Sequence, residues 1–119
     1  MNLTREQIEQ MPAGRGLDKL VALLLGWEYR RSISRWVEPS GVMSQPYPPA
    51  LSVDIAAVWP LFEPMHFPLE KSQEGEWLVY RPERKPETGE LEGIVVLGRG
   101  DTAPLAICRA ALLLHLNLI

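Results

Sequence analysis

The stretch Gly98-Arg99-Gly100-Asp101-Thr102-Ala103-Pro104-Leu105-Ala106-Ile107-Cys108-Arg109-Ala110-Ala111-Leu112 decides the reading of this chain. It carries a β-like run through a glycine turn into a helix, with Asp101 well placed to cap the first turn. Just upstream, Gly93-Ile94-Val95-Val96-Leu97 has the β-branched character of a strand. Downstream, Leu105, Cys108, Leu112 and His115 mark one side of a helix and Ile107, Ala111 and Leu114 another. A helix apolar on nearly all sides must be buried. A strand feeding a buried helix sets an α+β register for the whole chain.

Working outward, Trp77-Leu78-Val79-Tyr80-Arg81 reads as a second strand, antiparallel to the first, with the polar segment Pro82 to Glu92 as a long hairpin connection. In Ser52-Val53-Asp54-Ile55-Ala56-Ala57-Val58-Trp59, Ser52 is the expected N-cap and Asp54 suits the positive end of the helix dipole. Ile55, Val58, Trp59 and Phe62 keep helical spacing, while Pro60 should kink or shorten the helix. Nearer the start, Thr4-Arg5-Glu6-Gln7 is a capping-box pattern that opens a short helix ended by Pro12. Leu17, Leu20, Val21 and Leu24 form one apolar stripe over about Ala13 to Leu25, and Gly26 is placed to close that helix in a left-handed cap. Trp27 to Pro49 is expected to be mainly loop, with a short strand near Ile33 to Val37.

The chain of 119 residues leaves room for one domain over residues 1–119, a size that buries roughly two-thirds of its unfolded surface without staples. The single Cys108 excludes an internal disulfide framework and a cysteine-only zinc site, and favours a reducing compartment. Met1 to Glu6 holds no apolar segment of a secretory signal. The run from Ala103 to Ile119 is broken by Arg109, His115 and Asn117 and falls short of the roughly 20 residues a bilayer demands. The net charge of −3 argues against nucleic acid as the main partner. Nine of the twelve basic residues are Arg, whose planar fork suits carboxylates and phosphates.

The order of these elements carries a resemblance. Met11-Pro12-Ala13-Gly14-Arg15, Gly26-Trp27, Tyr47, the Ser52 to Trp59 helix and the Pro104 to Leu112 helix together resemble the phage ABA-sandwich domain family across nearly the whole chain. The resemblance implies a single α+β domain with helices on both sides of a small, mainly antiparallel sheet. It also implies a phage or prophage origin, hence a place in the cytoplasm of an infected bacterial host. Gly16, where the family usually has an acidic helix former, and Pro60 depart from its pattern.

Catalysis finds little support in the residues. Cys108 and His115 lie seven apart on one helix, about 10 Å of rise, too far for a nucleophile and its base. No CxxC, HxxxH or HExxH spacing occurs, so neither a metal site nor a cofactor is expected. The carboxylates Glu83, Glu87, Glu90 and Glu92 alternate with Arg84 and Lys85 as on a solvated loop. The expected protein is not an enzyme.

The first binding candidate is Trp27-Glu28-Tyr29-Arg30-Arg31 with Arg35-Trp36, in which aromatic faces and guanidinium forks share one segment and Trp27, Arg30, Arg31 and Trp36 are singled out; the second is Arg99, which precedes a helix N-terminus. Arg109 joins them because a charge on a buried helix needs a partner, either Asp54 or a ligand anion. These residues suggest an accessory protein, expected to be a homo-oligomer, that captures an anionic nucleotide-like molecule. By analogy with other small phage proteins, that molecule would be an immune signal sequestered to counter host defence. The alternative is an interaction module that inhibits or adapts a host protein, with neither membrane nor nucleic acid as partner.

Overall fold

The computed structural model describes residues 3–118, so Met1, Asn2 and Ile119, which the signal-sequence, apolar-run and domain expectations include, lie outside the described residues. Among the described residues four helices and six strands follow one another: α1 (Arg5–Gln10), α2 (Arg15–Leu24), β1 (Glu28–Arg30), β2 (Arg35–Val37), β3 (Ser44–Gln45), α3 (Ile55–Phe62), β4 (Leu69–Lys71), β5 (Trp77–Arg84), β6 (Leu91–Gly100) and α4 (Ala103–His115). The strands form two three-stranded antiparallel sheets, β1-β2-β3 and β4-β5-β6. The α+β class and antiparallel pairing expected from the sequence are what the fold has.

The helix α4 is the hub. Residues Pro104 to Cys108 and Ala110 to Leu113 are buried along it, as a helix apolar on all sides requires. It lies on β5 and β6, and α1, α2 and α3 pack against it. Ile8, Leu17, Val21, Val58 and Phe62 from the outer helices join Val79, Leu97, Ile107 and Leu112 in one buried cluster.

The glycines before α4 do not make the expected turn. Gly98 and Gly100 are still in β6, paired with Val79 and Trp77. Their purpose is close approach: a Cβ on Gly98 would stand 2.5 Å from the Ala106 carbonyl oxygen and the Ala110 nitrogen. Only a residue without a side chain lets strand and helix meet so tightly. The helix is capped by Thr102, whose hydroxyl accepts from the Leu105 N–H at 3.4 Å, rather than by Asp101.

Other elements match or correct the expectations for local reasons. The capping box of α1 forms, with Thr4 Oγ1 accepting from Gln7 N at 3.1 Å and Gln7 Oε1 from Thr4 N at 2.9 Å. Gly26 takes the left-handed conformation, φ 91°. Ser52 is not the cap of α3; Asp54 is, its carboxylate accepting from Ala56 N at 3.0 Å. The Ser52 hydroxyl is taken instead by Gly14, whose N–H it accepts at 2.8 Å. Pro60 sits inside α3, which ends two residues later in a 3-10 turn, Glu63–Met65.

The segment Pro82 to Glu92 is not a long loop. Pairing continues from Trp77↔Gly100 to Arg84↔Leu91, with irregularities at Val79/Tyr80 and Glu83/Arg84, and only Lys85 to Glu90 turns. The far half of this hairpin has solvent around most of its length, so no apolar alternation marks it as strand. The projecting arm makes the molecule long, 56 × 30 × 28 Å with a radius of gyration of 15.7 Å, against about 13.5 Å for a compact chain of this size. The first sheet replaces most of the expected loop: β2 lies within the short strand expected near Ile33 to Val37, whereas β1 and β3, of three and two residues, are too short to show a period.

Candidate functional site

Two surfaces of the protein hold arginine beside structure that needs it, and they differ in what the guanidinium finds. On α4, Arg109 Nε and Nη2 donate to the Met11 carbonyl at 3.2 and 2.9 Å, and Nη1 donates to the Arg99 carbonyl at 2.8 Å. The expected partner, Asp54 or a ligand anion, is therefore corrected: the guanidinium ties the end of α1 to β6 through backbone oxygens. Burial lowers the Arg109 pKa, opposed by the charges of Asp101, Glu76 and Glu9. Arg99 stands 3.6 Å from Glu76, with both side chains partly exposed. Every nitrogen of the Arg109 guanidinium thus donates to a backbone carbonyl, and the cluster is a brace.

The second surface lies where α2 meets the first sheet. An amphipathic α2 buries Leu17, Val21 and Ala22, which leaves Arg15 and Lys19, one turn apart, on its solvent face. Across from them, Tyr29 of β1 pairs in register with Trp36 of β2, their ring centroids 5.7 Å apart and tilted by 55°. Trp36 is 5% exposed and anchors the sheet in the core, whereas Tyr29 remains 46% exposed. Arg15, Lys19, Tyr29, Trp36 and Pro48 line an open groove of about 240 Å³. Beside it the Arg15 guanidinium carbon lies 3.7 Å from the centroid of the Tyr47 ring, a distance at which ring quadrupole and cation attract.

The walls of this groove are held by a buried latch. Asp18, 4% exposed, accepts from the Ser52 backbone N–H at 2.6 Å. Ser52 Oγ accepts from Gly14 N at 2.8 Å and stands 3.3 Å from the Gly14 carbonyl, to which its hydroxyl donates. Gly14 precedes α2 at φ 141°, a backbone shape that favours glycine. The latch thus fixes the start of α2, with Arg15 beside it, against the chain that has just left Tyr47 and Pro48. Gln45 steadies that chain by donating to the Tyr47 carbonyl at 2.7 Å.

The groove is cationic and aromatic at once. Its lining, among the described residues, contains no carboxylate. The ion pairs among the described residues, Arg5 with Glu9, Arg30 with Glu28 and Arg99 with Glu76, leave Arg15 and Lys19 out. Chemically, a guanidinium and an ammonium complement an anion, and an aromatic face complements a flat ring or a cation.

Of the candidates read from the sequence, Trp36 lines the groove. Trp27 packs partly buried against the core, Arg30 pairs with Glu28 at 2.6 Å, and Arg31 is exposed in the turn after β1. Arg99 and Arg109 form the brace on the other surface. Tyr29, inside the candidate stretch Trp27 to Arg31, also lines the groove, whereas Arg35 of the same candidate donates to Ser44. Arg15, Lys19, Tyr47 and Pro48 were not among the candidates; the signal for the first two was the polar face of α2, where i and i+4 positions meet.

Nucleophilic chemistry gains nothing from the fold. Cys108 is buried, and its thiol is pushed up to about 12 by burial and then by the Asp18 charge, so it stays neutral near pH 7. Among the described residues, no group of three or more His, Cys, Asp or Glu is placed to hold a metal ion. No helix among them is long and apolar enough to cross a membrane.

Fold and groove together define a small α+β protein built on a central buried helix, with one cationic, aromatic cleft. The family model for the phage ABA sandwich domain matches residues 18–112, and the chain belongs to that phage family. A comparison with curated proteins finds no match.

Proposed function

We propose that this protein is a non-enzymatic phage accessory protein that captures a small, anionic, nucleotide-like molecule in the groove between α2 and the first sheet. The observation that carries the reading is the pair of cations, Arg15 and Lys19, outside every ion pair among the described residues and facing Tyr29 and Trp36. A side chain as large as Tyr29, left 46% exposed at the edge of a concave site, is surface that a ligand ring would cover. Sequestration of a host immune signal is the role that such capture would serve in a phage protein.

The purified protein, incubated with small-molecule extract from bacteria whose nucleotide-signalling defences are active, should release on denaturation a chemically unchanged anionic compound, identified by mass spectrometry. Arg15→Ala should retain far less of it. Recovery of a chemically altered compound would overturn the non-enzymatic reading, and the absence of any bound anion would overturn capture itself.

A second reading, an interaction module for a host protein, draws on α3. Val53, Ile55 and Trp59 are 60%, 43% and 42% exposed, an apolar face of the kind that meets partners. If that reading holds, Trp59→Ala abolishes capture of a host protein and leaves the extract experiment unchanged.

A further inference from the structure

We propose that the groove is specific for a terminal phosphate monoester on a single nucleotide, an inference that rests on the capture reading above. Three observations select this class. The groove is open and, at about 240 Å³, smaller than the roughly 300–1,000 Å³ of sites that enclose drug-sized ligands, so its lining reaches a phosphate and one neighbouring ring and offers no further ring surface for a second nucleotide. Its cationic side offers two positive groups of different kind from one turn of α2, and the lining residues bring no negative charge to oppose them. A phosphate monoester carries about −1.5 to −2 at pH 7. A phosphodiester carries a single negative charge and one fewer free oxygen.

The geometry assigns the parts. Arg15 supplies a planar fork for two phosphate oxygens, and Tyr47 beneath its guanidinium, at 3.7 Å to the ring centroid, holds the fork in place. Lys19, four residues on, adds a compact charge to a third oxygen. On the opposite wall Tyr29, 46% exposed and backed by the buried Trp36, presents ring surface for the base, and aromatic stacking tolerates any base because every base has a π-face. The specificity therefore resides in the phosphate and not in the base. A pocket for a neutral nucleoside would have no use for two cations outside the ion pairs of the described residues.

The test is calorimetric titration and thermal-shift measurement of the full chain with AMP, GMP, CMP and UMP, each beside its nucleoside and its 3′,5′-cyclic monophosphate, and with a linear dinucleotide and a 5′-phosphorylated oligonucleotide. All four monophosphates should bind, each roughly tenfold or more tightly than its nucleoside and its cyclic counterpart, the scale of a single charge-assisted hydrogen bond; binding of one base alone would overturn the assignment of specificity to the phosphate. The Arg15→Ala and Lys19→Ala variants should erase that preference, the monophosphate then binding no more tightly than its nucleoside. Equal binding of monophosphate and cyclic diester, or tighter binding of the dinucleotide, would overturn the monoester inference and leave capture standing. Tighter binding of the phosphorylated oligonucleotide would make a nucleic-acid end the ligand and overturn the single-nucleotide inference. If none of these compounds binds and the cell extract yields another anion, the inference fails alone; if the extract yields nothing, both readings fail.

Discussion

Arginine serves opposite ends in two regions of this molecule. Between α4 and β6, Arg109 sits on a buried helix and spends its donors on the carbonyls of Met11 and Arg99; between α2 and the first sheet, Arg15 lies over an exposed tyrosine, outside the ion pairs of the described residues. The sequence makes Arg109 the more conspicuous, because a charge among apolar neighbours demands explanation. The fold gives it a structural one. Backbone carbonyls can solvate a buried cation as fully as a ligand can, so burial alone does not separate a brace from a binding site. What separates them is whether the donors are already used.

If the α4 region is scaffold and the groove is site, disturbance of each should read out differently. The largest effect is expected at Gly98, where an added Cβ would meet helix backbone at 2.5 Å. Gly98→Ala must push β6 from α4 and should cost about 3 kcal/mol, seen as a lower midpoint in urea unfolding. Gly100→Ala, whose Cβ would chiefly meet the Leu105 side chain at 2.8 Å, should cost clearly less because that side chain can rotate. Next comes Arg109→Met. It leaves two backbone carbonyls without their donor and should cost about 1 to 2 kcal/mol, with Arg109→Lys recovering part of it, since an ammonium lacks the fork that spans both oxygens. Ligand affinity should be unchanged in folded Arg109→Met; a decrease there would make the brace part of the site.

How much of this was legible in the sequence follows from what each residue answers to. The helices were readable because their signals are local: Thr4 with Gln7 forms its box, and Leu17, Val21 and Leu24 keep a period whatever surrounds them. Gly98 and Gly100 misled because glycine marks both a turn and a close approach, and only the packing of α4 tells which. Ser52 looked like a cap for the same kind of reason. Its hydroxyl was free to serve α3, but Gly14, 38 positions away, claims it. The groove was the least readable part, since Arg15, Tyr29, Trp36 and Pro48 come from four segments with no common spacing. Trp36 could be named because a tryptophan next to arginine stands out in any loop. Arg15 and Lys19 could not, being ordinary members of a polar helix face until the first sheet is set opposite them.

The smallest effect on stability should come from the residues on which binding most depends. Arg15 and Lys19 are exposed, and their removal creates no cavity and strands no buried group. Arg15→Ala/Lys19→Ala should therefore shift the unfolding free energy by at most about 1 kcal/mol, the worth of one exposed cation–π pair over Tyr47. Stability unchanged with the monophosphate preference lost is the signature of side chains held for a ligand rather than for the fold. A drop comparable to that of Arg109→Met would instead place Arg15 in the same class as the brace, its stacking on Tyr47 serving to pin the Pro46 to Pro49 segment. The same double variant, measured by urea unfolding and by nucleotide titration, thus decides whether the two arginine regions differ in kind or only in exposure.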